Sequence, residues 1–198
     1  EDDTRCAIVH RVETPLDRSA DDGVVRFFVI GDAGLAFSRD PAQLAASTAF
    51  VANLTERVCH ARRGCDFGVF LGDNVYETGV ATVGGRAFLD AFAERYTHRW
   101  SRPIVFVLGN HDYDPVRPTH SRAREELGLI SELAAKHPGM VLGRSHFFEL
   151  RAGPVELFAW DTNHLVRGCE PSIGGMPECL EGEDGALRTL ARSDAPFK

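Results

Sequence analysis

No stretch of the 198-residue sequence approaches the roughly 20 consecutive apolar residues that cross a bilayer, so no transmembrane segment is expected. Basic residues are outnumbered, 22 Lys and Arg against 29 Asp and Glu for a formal charge of −7, and they are scattered along the chain. Neutralising a duplex takes a basic stripe, so nucleic acid is not an expected partner. Tandem repeats and low-complexity tracts are missing too, which removes solenoids and arrays. Five cysteines are too few to build a disulfide scaffold at this length. Cys59 with Cys65, and Cys169 with Cys179, each flank a short polar stretch and can bridge in an oxidising compartment; the other reading is five reduced thiols. Cys6 is left over and could pair with another chain. The first residue is Glu1, with no apolar signal core behind it, so the sequence reads as a processed or trimmed product of a secreted, extracellular or lumenal protein. Asn53-Leu54-Thr55 is a glycosylation sequon inside an expected helix, and adds little by itself.

The remaining composition is that of a folded chain: 43 % hydrophobic, with 13 Phe and 19 Gly, in 21.8 kDa. Residues 1–23 are acidic and polar and read as an N-terminal arm; residues 24–198 read as one domain. Val24 to Ile30 is a nearly continuous apolar run of strand length, the pattern of a strand covered on both faces. Between Asp40 and His60, Leu44, Phe50, Val51, Leu54 and Val58 fall close to one helical face, and Pro41 suits a first turn. Phe67 to Leu71 and Pro103 to Leu108 repeat the strand pattern, with a helix expected over 86–100 between them. Strand and helix alternating in this way predict βαβ units and a largely parallel sheet, hence an α/β fold. Further on, His120 to Lys136 is a charged amphipathic helix, residues 140–142, 145–150 and 155–160 read as strands, 163–185 as a long loop, and 186–192 as the start of another helix.

Three strands end alike, with a glycine followed at once by a side chain able to hold a metal: Gly31-Asp32-Ala33-Gly34, Gly72-Asp73-Asn74 and Gly109-Asn110-His111-Asp112. One Gly-Asp after a strand is ordinary turn chemistry. Three in succession are different, because Asp32 and Asp73 stand 41 positions apart and Asp73 and Asn110 stand 37 apart, each about one helix plus one strand. Parallel strands spaced in that way deliver their tips to a common rim, where ligands of open α/β sheets bind. Carboxylate and amide oxygens beside an imidazole suit Fe, Mn or Zn. A carboxylate such as Asp73 can bridge two cations about 3.5–4 Å apart, the separation used to hydrolyse phosphate esters.

On these residues the sequence resembles the calcineurin-like metallophosphoesterase superfamily, and Gly72-Asp73-Asn74-Val75-Tyr76-Glu77-Thr78-Gly79, with Gly34 in place of a histidine, resembles its purple acid phosphatases, the tartrate-resistant type especially. Trp160-Asp161-Thr162 is similar to a later strand end of that family. The resemblance runs over about residues 24–198. It implies a four-layer αββα sandwich of which this chain represents the N-terminal part, and a dinuclear centre of Fe(III) plus a divalent Fe, Zn or Mn. By position, Asp32, Asp73 and Tyr76 would hold the ferric ion, Asp73 and Asn110 the divalent one, and His111 would act on the substrate as the catalytic residue. The implied activity is hydrolysis of phosphate monoesters by a metal-bound hydroxide, that is, an acid phosphatase. The 163–185 loop matches the place of a regulatory loop in mammalian members.

The family also requires later histidines, including a Gly-His-x-His motif, and none of His10, His60, His98, His120, His137, His146 or His164 stands in such a context. The expectation is therefore an enzyme whose activity requires a C-terminal segment absent from this chain, carried by a longer chain or by a covalent or non-covalent partner. The alternative is a catalytically inactive phosphatase-like scaffold or binding subunit.

Overall fold

The computed structural model describes residues 10–13, 24–33, 41–60, 64–76, 79–80, 96, 102–113, 121–138, 141–142, 147–163 and 190–192. The expected helix over 86–100 (Tyr96 apart), the 163–185 loop, the start of the last helix, Cys6, and the Cys169 and Cys179 pair lie outside them. The chain divides into two compact units, one of residues 26–144 and one combining 1–25 with 145–198.

The 26–144 unit is an α/β layer. Its sheet runs in the order β2 (Phe27–Ile30), β3 (Phe67–Phe70), β4 (Ile104–Phe106), β5 (Val141–Leu142), and all three pairings are parallel. Parallel neighbours need a crossover, and α1 (Pro41–His60) supplies the first, opening on a proline whose missing N–H is no loss at a helix start. A second helix, α2 (Ser121–Lys136), lies in the chain between β4 and β5 and buries Ala123, Glu126, Ile130, Leu133 and Ala134. The core gathers around Phe70, whose ring stacks on Phe106 at 5.1 Å and meets Tyr96 edge-on at 4.9 Å. Burying each large apolar side chain of this kind stabilises the unit by about 1.5–3 kcal/mol.

Two expectations change. Four members of the apolar stripe on α1, Phe50, Val51, Leu54 and Val58, are exposed, while Ala52 and Cys59, seven residues apart and so on one face, enter the core; the side chain of the fifth, Leu44, lies outside the described residues. The β2 strand is not covered on both sides either. Among the described residues it is an edge strand, with Phe27 and Val29 exposed and Phe28 and Ile30 turned toward the core, so its apolar run alternates in practice.

In the other unit, β1 (His10–Glu13) pairs in parallel with β6 (Phe147–Ala152), and β6 pairs antiparallel with β7 (Val155–Trp160) through a turn in which Gly153 takes a positive φ of 56°. Four residues of the stretch read as an arm are thus a strand, because the edge of β6 offers backbone partners that a solvated arm would not have. Asp161, 1 % exposed at the end of β7, accepts hydrogen bonds from the Asn163 backbone and side chain at 3.1 and 2.9 Å, an Asx-type turn that stops the strand.

Cys59, in the last turn of α1, is bridged to Cys65, two residues ahead of β3, with Cα atoms 4.8 Å apart. The bridge closes the short connection from helix to strand. Replacing both cysteines by serine should lower unfolding free energy by about 2 kcal/mol for a loop this short. Urea denaturation of the intact protein checks this, and an unchanged midpoint would mean that the bridge contributes nothing.

Candidate metal centre

Because β2, β3 and β4 are parallel, their carboxyl ends reach one edge of the sheet, and backbone pairing continues past the strands. Leu71 N–H donates to Ile30 O at 2.8 Å, Val107 N–H to Phe70 O at 2.9 Å, and Asp32 N–H to Gly72 O at 3.2 Å. The first two acidic residues at these tips, Asp32 and Asp73, are also the non-glycine residues with positive φ among those described, at 55° and 53°. A left-handed conformation at a residue with a Cβ costs about 1–3 kcal/mol and persists only where the surroundings impose it, most often at functional sites. The imposing contact is glycine on glycine. A Cβ on Gly72, whose φ is 95°, would fall 2.6 Å from Gly109 Cα, and one on Gly109 would strike the Asp73 backbone nitrogen and carboxylate.

The turn that follows carries Tyr76 back over the rim. Its hydroxyl lies 2.8 Å from Asp73 Oδ2 and is hydrogen-bonded to Asp32 Oδ1 as well. One phenolic proton therefore serves two carboxylates. Tyr76 is 2 % exposed, and burial first, then the hydrogen bonds and charges of Asp32 and Asp73, raise its pKa well above the ordinary tyrosine value. His111 joins from the β4 tip: its backbone N–H donates to Asp73 Oδ1 at 2.9 Å, and its ring centroid lies 4.4 Å from that of Tyr76. Asn110, one residue earlier, is exposed on the same loop.

Beneath the rim is a buried polar layer. Asp112 accepts from the backbone N–H groups of Gly109 at 2.8 Å, Val75 at 3.1 Å and Asn74 at 3.3 Å, tying the β4 loop to the β3 loop. The Asn74 amide donates to Val107 O at 2.8 Å and to Glu126 Oε1 at 3.1 Å. Asn74, Asp112 and Glu126 are all 0 % exposed. Burial pushes Asp112 up to about 6, against its three backbone donors, and burial together with the neighbouring Asp112 charge raises Glu126 well above the carboxylate range.

Of the side chains expected from sequence, the structure thus draws Asp32, Asp73 and Tyr76 to one point, with the His111 ring beside that of Tyr76 at a tilt of 53° and Asn110 adjacent in the chain. Among the described residues no three His, Cys, Asp or Glu side chains gather where they could hold an ion. The donor set here is two carboxylates and a phenol, three hard oxygens that fit a hard cation of high charge. Asn74 and Glu126 escaped the sequence reading. Glu126 had a signal, being three residues from Ala123, four from Ile130 and seven from Leu133, a carboxyl on the apolar face of α2.

With this geometry in view, comparison with known proteins is informative. The chain belongs to the calcineurin-like phosphoesterase family, whose model matches residues 25–173. Within that class it is similar to plant purple acid phosphatases. It is 34 % identical over 152 residues to purple acid phosphatase 3 of Arabidopsis thaliana, covering 76 % of this chain and 37 % of the relative. It is 30 % identical over 159 residues to purple acid phosphatase 7 of the same plant, covering 80 % and 43 %. The chain spans about two-fifths of the length of these relatives.

Glycine contact and helix propensity predict opposite signs for the same substitution. Gly72→Ala should destabilise by more than about 1 kcal/mol, since it adds a Cβ at positive φ against backbone. Gly128→Ala, exposed within α2 and with nothing inside 4 Å of the new Cβ, should stabilise by about 0.5–1 kcal/mol. Denaturation curves of the two variants check the pair.

The buried carboxyls set a pH dependence. A carboxyl whose folded pKa is raised binds more protons folded than unfolded, so stability is highest below the unfolded value and falls as pH rises through the folded one. For Asp112 that window runs from 3.8 to about 6. Metal-free protein should lose stability across this range, and Glu126→Gln should flatten the slope by removing one member of the pair. Thermal melts between pH 4 and 7 test it, and parallel profiles for the two proteins would contradict it.

Proposed function

We propose that the intact protein is a metal-dependent acid phosphatase that hydrolyses phosphate monoesters at a dinuclear Fe(III)–M(II) centre, M being Fe, Zn or Mn, with this chain supplying the donors of the first ion. The observation that carries the reading is the meeting of the Asp32, Asp73 and Tyr76 oxygens around a single proton. Replacing that proton by a cation relieves the repulsion between two carboxylates and favours the phenolate, reversing the shift of Tyr76. Asp32, Asp73 and Tyr76 would hold the ferric ion, and Asp73 with Asn110 the divalent one. When bound, such a pair lowers the pKa of water and neutralises charge on a transferring phosphoryl group.

The chain's own groups then have distinct tasks. Asp73 is fixed from both sides, by Tyr76 at Oδ2 and by the His111 backbone at Oδ1, so its orientation is set before any ligand arrives. The His111 imidazole, half-buried against the Tyr76 ring, is placed to donate to a phosphoryl oxygen or to protonate the leaving alkoxide. The remaining donors would come from a segment outside this chain or from a partner chain, completing an αββα sandwich. The Cys59–Cys65 bridge favours a secreted or lumenal setting. No helix among the described residues is long and apolar enough to cross a membrane.

A phenolate bound to ferric iron gives a visible charge-transfer band. Iron-reconstituted intact protein should be coloured and active on a phosphate monoester. Tyr76→Phe should remove the band, and His111→Ala should lower kcat by about 10²–10⁴ while leaving the colour. Colourless, inactive protein after reconstitution would overturn the proposal.

A further inference from the structure

The buried carboxyl of α2 has no place in the donor set, yet it reaches the site through two side chains. Glu126 Oε1 accepts from the Asn74 amide at 3.1 Å, and that amide also donates to Val107 O at 2.8 Å and lies 3.5 Å from Asp112 Oδ2. Asn74 is the chain neighbour of Asp73, and Asp112 is the chain neighbour of His111. Asp112 in turn takes the backbone N–H groups of Gly109, Asn74 and Val75. The tip of β3, the tip of β4 and the middle of α2 are therefore joined by one buried hydrogen-bonded layer directly under the rim.

That layer is costly, because each polar atom in it has given up water and two of them, Asn74 Oδ1 and Glu126 Oε2, are buried without a hydrogen-bond partner among the described residues. The rest of the buried face of α2 is Ala123, Ile130, Leu133 and Ala134, so an apolar residue at 126 would serve packing alone. What an apolar residue could not do is hold the Asn74 amide. Without the carboxyl the Asn74 amide would keep Val107 O and the long 3.5 Å contact to Asp112 Oδ2, but the turn bearing Asp73 would lose its tie to α2.

We propose that Glu126 is a positioning residue of the metal centre: through Asn74 and Asp112 it holds the β3 and β4 loops in the register that brings Asp73 to Asn110 and His111. The inference rests on the reading of the rim as a metal site. Hydrogen-bond partners of metal ligands commonly change metal affinity by about 10–100-fold when altered, and Glu126 acts one step further out, through the side chain of Asn74, the chain neighbour of Asp73.

The test measures Zn²⁺ affinity of the intact protein by competition with a chromophoric chelator, together with Tm. Glu126→Gln keeps an oxygen for Asn74 and should bind Zn²⁺ like the wild type. Glu126→Asp withdraws the carboxyl by one methylene and should weaken binding by about 10–100-fold. Ile130→Ala, on the same buried face but without a link to Asn74, should lower Tm and keep the affinity. Wild-type affinity in Glu126→Asp overturns the inference, as does an equal loss in Glu126→Gln or in Ile130→Ala. If Glu126→Asp does not fold, Asn74→Ser reads the same link from its other end with the same expected loss, and wild-type binding there overturns it. Wild-type protein that binds no Zn²⁺ overturns the metal-site reading and this inference with it, an outcome separate from the variant results.

Discussion

Tyr76 has one proton to share between Asp32 and Asp73, and much of the structure is arranged to keep those three oxygens together. Left to themselves, two carboxylates and a phenol would separate, since each gains more from water than from the others. They are held because each sits on a backbone that cannot move away. Asp32 and Asp73 are locked in the left-handed region, the Asp32 N–H is bonded to Gly72 O, and Gly72 lies flat against Gly109. The strain is a property of the scaffold that a bound cation would not have to create. Preorganisation of this kind is what lets a site select a charge without rearranging for it.

Behind the rim, stability and function draw on different parts of the same unit. The aromatic contacts of Phe70, Phe106 and Tyr96 fix the position of the strands, while the Asn74, Asp112 and Glu126 layer fixes the loops that leave them. The apolar core tolerates volume-conserving exchange. The polar layer does not, because removing one member leaves another buried and unpaired. This is why a helix whose outer surface is charged and unremarkable, α2, carries a carboxyl facing inward.

Much of this was legible in the sequence for identifiable reasons. The bounds of α1 and α2 were readable because Pro41 and the residues around His120 and Lys136 punctuate strong helical periodicity, and β3 and β4 because buried parallel strands read as short apolar runs ending in glycine. The rim was readable because its three loops share one grammar at a regular spacing. Burial was less so. Phe50, Val51, Leu54 and Val58 form an apolar face that periodicity alone assigns to a core, yet it is Ala52 and Cys59 that join the cluster around Phe70, Cys59 being bridged to Cys65 just ahead of β3. Glu126 was missed because a carboxyl in a charged helix reads as solvated unless its phase is compared with that of Ile130 and Leu133. Four residues of β1 were read as an arm because their partners lie more than 130 positions away, in β6.

The central claim is that Asp32, Asp73 and Tyr76 form one face of a cation site. Anomalous diffraction at the iron edge, from crystals of the iron-reconstituted intact protein, tests it most directly. The account requires a peak within coordination distance of an oxygen of all three side chains, about 2 Å from each. No peak between them, or iron bound elsewhere while the Tyr76 hydroxyl still bridges the two carboxylates, would contradict it.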